Sequence, residues 1–383
     1  MATQLISGVQ YSGIWNLSSQ ANAQAAGTWP VPFNNLAAWG KNDFGQLGLG
    51  NTTAYSSPKP VGSLYWLSAA AGYRFSLAIR SDNTFWSWGQ NNNYGQLGLG
   101  NMTNYSSPKQ VGSLSTWLRV AAGWYHVVAV KTDGTLWSWG SNGYGQLGLG
   151  NTTYYSSPKQ VGALTTWKYV GAGRNFSAAI KTDGTLWTWG RNNNGQLGLN
   201  NSTYYSSPKQ VGSLTNWLKT AGGEYHFVAL KTNGTIWSWG RNNNGQLGVG
   251  NTSTYYSPIQ IGALTTWSDV GVNSRCGYAI KTDGTLWSWG RNNVGQLGLG
   301  NTTYYSSPKQ IGALTTWLYL GQFSPGQSMG SVKTDKTLWM WGQNNWYQLG
   351  DGTTANKSSP VQTGALTSWI QVAGGNYQTV ALY

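Results

Sequence analysis

Lys281 to Trp317 reads KTDGTLWSWGRNNVGQLGLGNTTYYSSPKQIGALTTW, and close copies of this stretch fill most of the chain. Its Trp-Gly pair recurs at Trp39, Trp88, Trp139, Trp189, Trp239, Trp289 and Trp341. The interval is about 50 residues, a period that belongs to solenoids and propellers. Strand signals choose between the two. Within Ala178 to Gly190 apolar residues alternate on both sides of Asp183-Gly184, which predicts a hairpin closed by a type I′ turn, whose two central residues need positive φ. Asp133-Gly134, Asn233-Gly234 and Asp283-Gly284 repeat the signal. Asp82-Asn83 and Asp335-Lys336 depart from it and predict looser turns. No segment carries a long helical period. The expected fold is all-β, a single seven-bladed β-propeller.

The ends say how such a ring closes. Six hairpins are complete, and the chain stops at Val380-Ala381-Leu382-Tyr383, where a further hairpin should turn. Leu36-Ala37-Ala38-Trp39-Gly40 matches the missing strand, with nothing hairpin-like before it. Pairing strand 36–40 with the C-terminal strands completes the seventh unit and removes an open sheet edge. The expected organisation is an N-terminal extension over residues 1–30 and a propeller over 31–383.

The string Leu-Trp-Ser-Trp-Gly-x-Asn-x-x-Gly-Gln-Leu-Gly at Leu286 to Gly298, with Ala-Gly-x-x-His at Ala122 to His126 and Gly-Gly-x-x-His at Gly222 to His226, resembles the regulator-of-chromosome-condensation repeat family. The resemblance runs from about Leu36 to Tyr383 and implies a seven-bladed propeller. Members of that family that act as guanine-nucleotide exchange factors use acidic and His positions and an inserted wedge. This chain has few spare acids and no insertion between blades. Trp346-Tyr347 also replaces the Gly before Gln348-Leu349-Gly350.

Composition bounds the chemistry. Lys and Arg number 23 against nine Asp and Glu, a formal charge of +14, yet charged residues are only 8% of the chain. That balance favours anionic partners such as nucleic acid, lipopolysaccharide or acidic glycan; a simple scarcity of acids explains it equally. Five acids (Asp82, Asp133, Asp183, Asp283, Asp335) sit in hairpin turns, leaving Asp43, Glu224, Asp269 and Asp351 in separate repeats. Glycoside hydrolysis needs two neighbouring carboxylates, so no catalytic residue is expected. His126 and His226 lie two repeats apart, and Cys276 is the single cysteine. No metal site, cofactor or disulfide is expected. Of the 24 tryptophans, all but Trp15, Trp29, Trp124 and Trp346 occupy repeat positions, where packing between blades is their expected role.

The residues after the Ala-Gly element vary from copy to copy and make the candidate binding ring: Tyr73-Arg74-Phe75, Trp124-Tyr125-His126, Arg174-Asn175-Phe176, Glu224-Tyr225-His226, then Arg275, Phe323 and Tyr377. Tyr, Trp, Arg, Asn and His suit a recognition surface; drift at tolerant loop positions is the other reading. A second, uniform ring repeats Asn151 to Lys159, with Lys59, Lys109, Lys159, Lys209 and Lys309 as one circle of charge and Arg191, Arg241 and Arg291 as half of another. It suits sugar binding or a plain solvated loop.

Met1 to Trp15 has no basic flank and no apolar run of the length a signal peptide or membrane span needs. No membrane insertion is expected. The extension, with Trp15 and Trp29 as anchors, resembles short segments of tailed-bacteriophage structural proteins. The sequence reading is therefore a non-enzymatic structural or adhesive propeller of a virion or extracellular surface. The extension would hold another virion or surface protein, and the loop face would bind host glycan or a virion protein. The alternative is a cytoplasmic regulatory protein, such as an exchange factor or chromatin-binding propeller.

Overall fold

The computed structural model describes residues 34–91, 93–323 and 326–383. The expected anchor segment 1–30, with Trp15 and Trp29, lies outside the described residues, as does the start of the 31–383 unit. Seven four-stranded antiparallel sheets follow one another along the chain. In the second blade the order is Trp66–Ala71, Phe75–Arg80, Phe85–Gly89, Tyr105–Gln110. The first strand of each such sheet touches its counterparts in neighbouring blades, so these are the inner strands, grouped about the axis.

The first blade joins both ends of the chain, in the order Tyr55–Pro60, Leu36–Gly40, Gln378–Leu382, Gln371–Gly374. Leu36 faces Leu382 and Gly40 faces Gln378. Asn35 and Tyr383 exchange backbone hydrogen bonds of 2.8 and 3.0 Å beyond them. The closure read from the sequence is the one observed.

The repeated residues hold blade to blade. Each Trp-Gly indole is fully buried, and its Nε1 donates across the blade boundary to a Gln backbone carbonyl. Trp88 reaches Gln46, Trp139 reaches Gln96, and so on round to Trp39 on Gln348, all at 2.9–3.0 Å. The last glycine of Gly-Gln-Leu-Gly abuts the same indole. A Cβ on Gly98 (φ +74°) would stand 2.7 Å from Trp139 Nε1. The Asn of the motif ties the loop together: Asn292 donates to Asn301 O at 2.9 Å while its Oδ1 accepts from Leu297 N at 2.9 Å. A second indole pair is edge-to-face, as in Trp117 against Trp137 (73°) and Trp167 against Trp187 (83°). The Lys131 ammonium sits 3.6 Å from the Trp137 ring centre and 4.9 Å from that of Trp117, a contact that recurs with Lys181, Lys231, Lys281 and Lys333. Partly desolvated cation–π contacts of this kind contribute about 1–2 kcal/mol each.

The hairpin turns differ from expectation. Gly184 has φ +77°, but Asp183 is not among the residues with positive φ, which excludes type I′. Gly184 N bonds to Lys181 O and Lys181 N to Thr185 O, both at 3.0 Å. The loop is thus the three residues Thr182-Asp183-Gly184, with the left-handed residue last. Aspartate is there for its side chain, since Asp183 Oδ1 accepts from Thr185 N and Oγ1 at 2.9 and 2.7 Å. The turns at Asn83 and Lys336 are not looser either. Both residues take the glycine's left-handed conformation (φ 62° and 63°) and keep its hydrogen bond, to Arg80 O and Lys333 O.

Candidate functional site

An inner strand climbs to a short loop at one end of the propeller, and the second strand of the blade descends from it. The first loop residue of each blade (Tyr73, Trp124, Arg174, Glu224, Ser274, Gly326, Asn376) joins a belt of backbone hydrogen bonds around the axis. Tyr73 N donates to Trp124 O at 3.0 Å, Glu224 N to Ser274 O at 2.7 Å, Ser274 N to Gly326 O at 2.9 Å, and Asn376 N to Tyr73 O at 3.2 Å. These bonds tie the loops of neighbouring blades together. The second residue (Arg74, Tyr125, Asn175, Tyr225, Arg275, Gln327, Tyr377) is partly exposed in every blade.

The third residue opens the next strand and turns inward. Phe75, His126, Phe176 and His226 are fully buried and leave the candidate surface, as does Phe323, whose ring lies in the core of the seventh blade. Alternation of side chains along the strand is the reason: one step past an exposed residue the side chain enters the packing between blades. Cys276 shares this buried position, so the equivalent loop in the sixth blade is Ser274-Arg275-Cys276, with Arg275 as its part-exposed residue. Burial pushes the thiol up to about 12. It pushes His126 down to about 3 and His226 to about 4. His126 Nε2 lies 2.9 Å from Ser177 Oγ, which donates to Gln146 O at 2.8 Å; the histidine therefore carries its proton on Nε2 and bridges two blades.

What remains exposed is an arc of aromatic rings and cations. Tyr73 packs on Trp124 (5.1 Å between ring centres), Tyr125 (5.3 Å) and Tyr377 (6.3 Å). Trp346 meets Tyr377 at 6.3 Å, with the Lys41 ammonium 3.9 Å from the Trp346 ring centre. Arg74 lies over Phe44 and Tyr73, and Arg174 lies 4.0 Å over Trp124. Glu224 is buried beneath the arc, accepting from Arg174 Nη1 and Arg275 Nε at 2.7 Å each and from Ser274 Oγ at 3.2 Å. Burial works against its charge, and Arg275 and Arg174 outweigh it, holding the carboxyl below the usual range. Arg191 and Arg241, from the loops after Trp-Gly, converge on Tyr225 from neighbouring blades, at 5.4 and 5.5 Å.

A second variable set escaped the sequence comparison. Two residues after each buried inner-strand Trp stand Ser68, Arg119, Tyr169, Lys219, Asp269, Tyr319 and Gln371, on the strands about the axis. Lys219 and Asp269 form an ion pair between blades. Burial disfavours the Lys219 ammonium, but Asp269, Tyr169 and Tyr319 more than offset it and hold its pKa above the ordinary value. Gln371 grips the backbone of Ala69 in the next blade through both ends of its amide, at 3.0 and 3.2 Å. The variability was present in the sequence, but a bulge after six of these seven tryptophans, Trp66 to Trp317, hides which side the residues take.

The uniform ring is satisfied from within: Asn151 Oδ1 accepts from Thr153 N at 3.0 Å and its Nδ2 donates to Tyr155 OH at 3.3 Å. Lys59, Lys109, Lys159, Lys209 and Lys309 rest 5.4–5.6 Å over tyrosines of their own strands.

A model of the regulator of chromosome condensation (RCC1) repeat matches residues 36–79, 82–130, 133–180, 183–230, 233–277, 283–318 and 335–382. The chain belongs to this repeat family. Among curated proteins no sequence matches it. Among solved structures, human WBSCR16 is similar over 91% of this chain and 98% of its own, with 21% identity and a TM-score of 0.80. Prp20p of Saccharomyces cerevisiae, described with its binding to Gsp1p and histones, is similar over 97% of this chain and 96% of its own, with 19% identity and a TM-score of 0.82. Yeast RCC1 (Prp20) bound to Kap60 matches over 100% and 96%, with 19% identity and a TM-score of 0.81. At these identities the likeness is one of fold.

Proposed function

We propose that this RCC1-repeat chain is a non-catalytic interaction propeller that docks a protein partner on its loop face. The observation that carries the reading is the continuous arc of Trp124, Tyr73, Tyr377 and Trp346 with Arg174, Arg74 and Lys41 laid over the rings. Aromatic and arginine side chains fixed on a rigid backbone are what interface anchors consist of, because little rotamer entropy is lost when a partner covers them. Two observations support the non-catalytic part of the reading: Glu224 is held by two arginines, and both histidines are buried and neutral at physiological pH.

The reading is closer to the regulatory alternative than to a virion adhesin. A yeast protein of the same fold is described as binding Gsp1p and histones, while Trp124 and Trp346, the two indoles of the arc, each already carry a cation. Guanine-nucleotide exchange itself is a narrower claim, and acceleration of nucleotide release from a small GTPase would establish it. The docking reading is tested by immobilising the full chain and capturing partners from extracts of the organism that makes it. Trp124→Ala with Tyr377→Ala should lose the partner that the wild type holds. Leu164→Ser with Leu214→Ser, exposed leucines in the loops entering the inner strands at the opposite end, should keep it. The reverse pattern, or capture unaffected by either pair, contradicts the reading.

A further inference from the structure

Around Tyr225 the face becomes strongly cationic. Arg191 and Arg241 flank the ring, the Arg174 guanidinium lies 5.5 Å from its centre and donates to its hydroxyl, and Arg275 and Arg291 follow in the next blade. Glu224 is the carboxylate there, and it is spent on Arg174 and Arg275. Among the described residues Arg191, Arg241 and Arg291 have no ion-pair partner; Arg191 Nε is occupied by the neutral Asn193 Oδ1 at 2.9 Å. Several part-exposed guanidiniums gathered on one rigid rim repel one another, and an anionic ligand relieves that repulsion.

The use of the rings decides the kind of anion. Tyr225 is flanked by Arg191 and Arg241, Tyr144 has Arg191 at 4.9 Å, and Trp124 is covered by Arg174 at 4.0 Å. A single-stranded nucleic acid needs open ring faces for its bases, and a sugar needs them for stacking. In this sector Trp124, Tyr144 and Tyr225 each already have a guanidinium within 4.0–5.4 Å of the ring centre. A guanidinium resting against a ring keeps N–H donors free, the fork that matches a carboxylate.

We infer that the sector of blades four to six centred on Tyr225, with Arg191, Arg241 and Arg291, takes a carboxylate-rich peptide segment of the docked partner. The inference rests on the docking reading and deepens it. The test is fluorescence anisotropy of the full-length chain with a labelled twelve-residue Glu-rich peptide, beside an oligothymidylate and a heparin-type oligosaccharide of similar length. Arg191→Gln with Arg241→Gln should weaken peptide binding at least about tenfold, since each lost bond is a hydrogen bond to a charged group. Arg191→Lys with Arg241→Lys, which keeps the charge but not the fork, should lose severalfold, and Lys109→Gln with Lys159→Gln on the outer strands should change nothing.

Equal peptide binding by wild type and R191Q/R241Q overturns the inference. So does tighter, R191-dependent binding of either polyanion. If the peptide fails to bind while W124A/Y377A still loses the native partner, the acidic-segment inference falls and the docking reading stands. If that variant also keeps the native partner, the docking reading falls with it.

Discussion

Replacing His126 and His226 by phenylalanine should remove most of the acid sensitivity of the fold between pH 7 and pH 5. The repeat itself supplies the replacement, because Phe75 and Phe176 occupy the same buried position in other blades. Both histidines are fully buried, and burial holds His126 at about 3 and His226 at about 4, against roughly 6.5 in an unfolded chain. The sign follows from linkage. A base whose folded pKa is depressed binds more protons when unfolded, so its contribution is complete above pH 6.5 and is lost as pH falls towards the folded value. At pH 5 both folded values still lie below the ambient pH, so the loss is set by the unfolded pKa alone. At about 1.4 kcal/mol per pH unit over 1.5 units, each histidine contributes a loss of roughly 2 kcal/mol, about 4 for the pair. Aspartates and Glu224 with lowered pKa values add their losses only below about pH 5, outside this window. Urea unfolding followed by tryptophan fluorescence at pH 7 and pH 5 measures the difference. A wild type whose midpoint is the same at both pH values, or an H126F/H226F protein with undiminished pH dependence, refutes the reasoning.

Other substitutions report on the turns and on the contacts between blades. Lys336→Gly should raise stability by about 0.5–1 kcal/mol in urea unfolding, because relief of the left-handed strain exceeds the entropy glycine adds to the unfolded chain. Gly184→Ala should destabilise by more than that strain alone, since its Cβ would stand 2.0 Å from the Thr215 carbonyl oxygen. Gly98→Ala should cost a few kcal/mol by displacing the Trp139 indole, read as a lowered unfolding temperature. Cys276 should resist a thiol reagent at pH 8 and react fully only in denaturant, because the buried thiol is held at about 12.

The seven blades, the closing strand and the structural duty of the repeated tryptophans were legible because each depends on spacing within one repeat. The turn type was not: Asp-Gly suits several turns, and the hydrogen bonds of the Asp183 side chain, rather than a positive φ, select this one. The variable loops were visible as a set, but the set mixed two environments. Tyr125 and His126 are adjacent in sequence, yet one is part-exposed and the other buried at a blade boundary, since only the strand's starting register decides where alternation begins. The cluster at Tyr225 draws Arg191 and Arg241 from two repeats, and its existence depends on the angle between blades, which no single repeat encodes. Trp346 stands outside the repeated tryptophan positions, and the loop after Trp341-Gly342, the same length as its counterparts, brings it to Tyr377 of the first blade.

Hydrogen exchange of the full-length chain with and without its captured partner tests the central claim most directly. Docking on the loop face predicts slowed exchange at Tyr73 to Arg74, Trp124 to Tyr125, Arg174 to Asn175 and Glu224 to Tyr225, with the turns at Asp133-Gly134 and Asp183-Gly184 at the opposite end unchanged. Protection confined to those turns, or to the outer strands that carry Lys109 and Lys159, contradicts it.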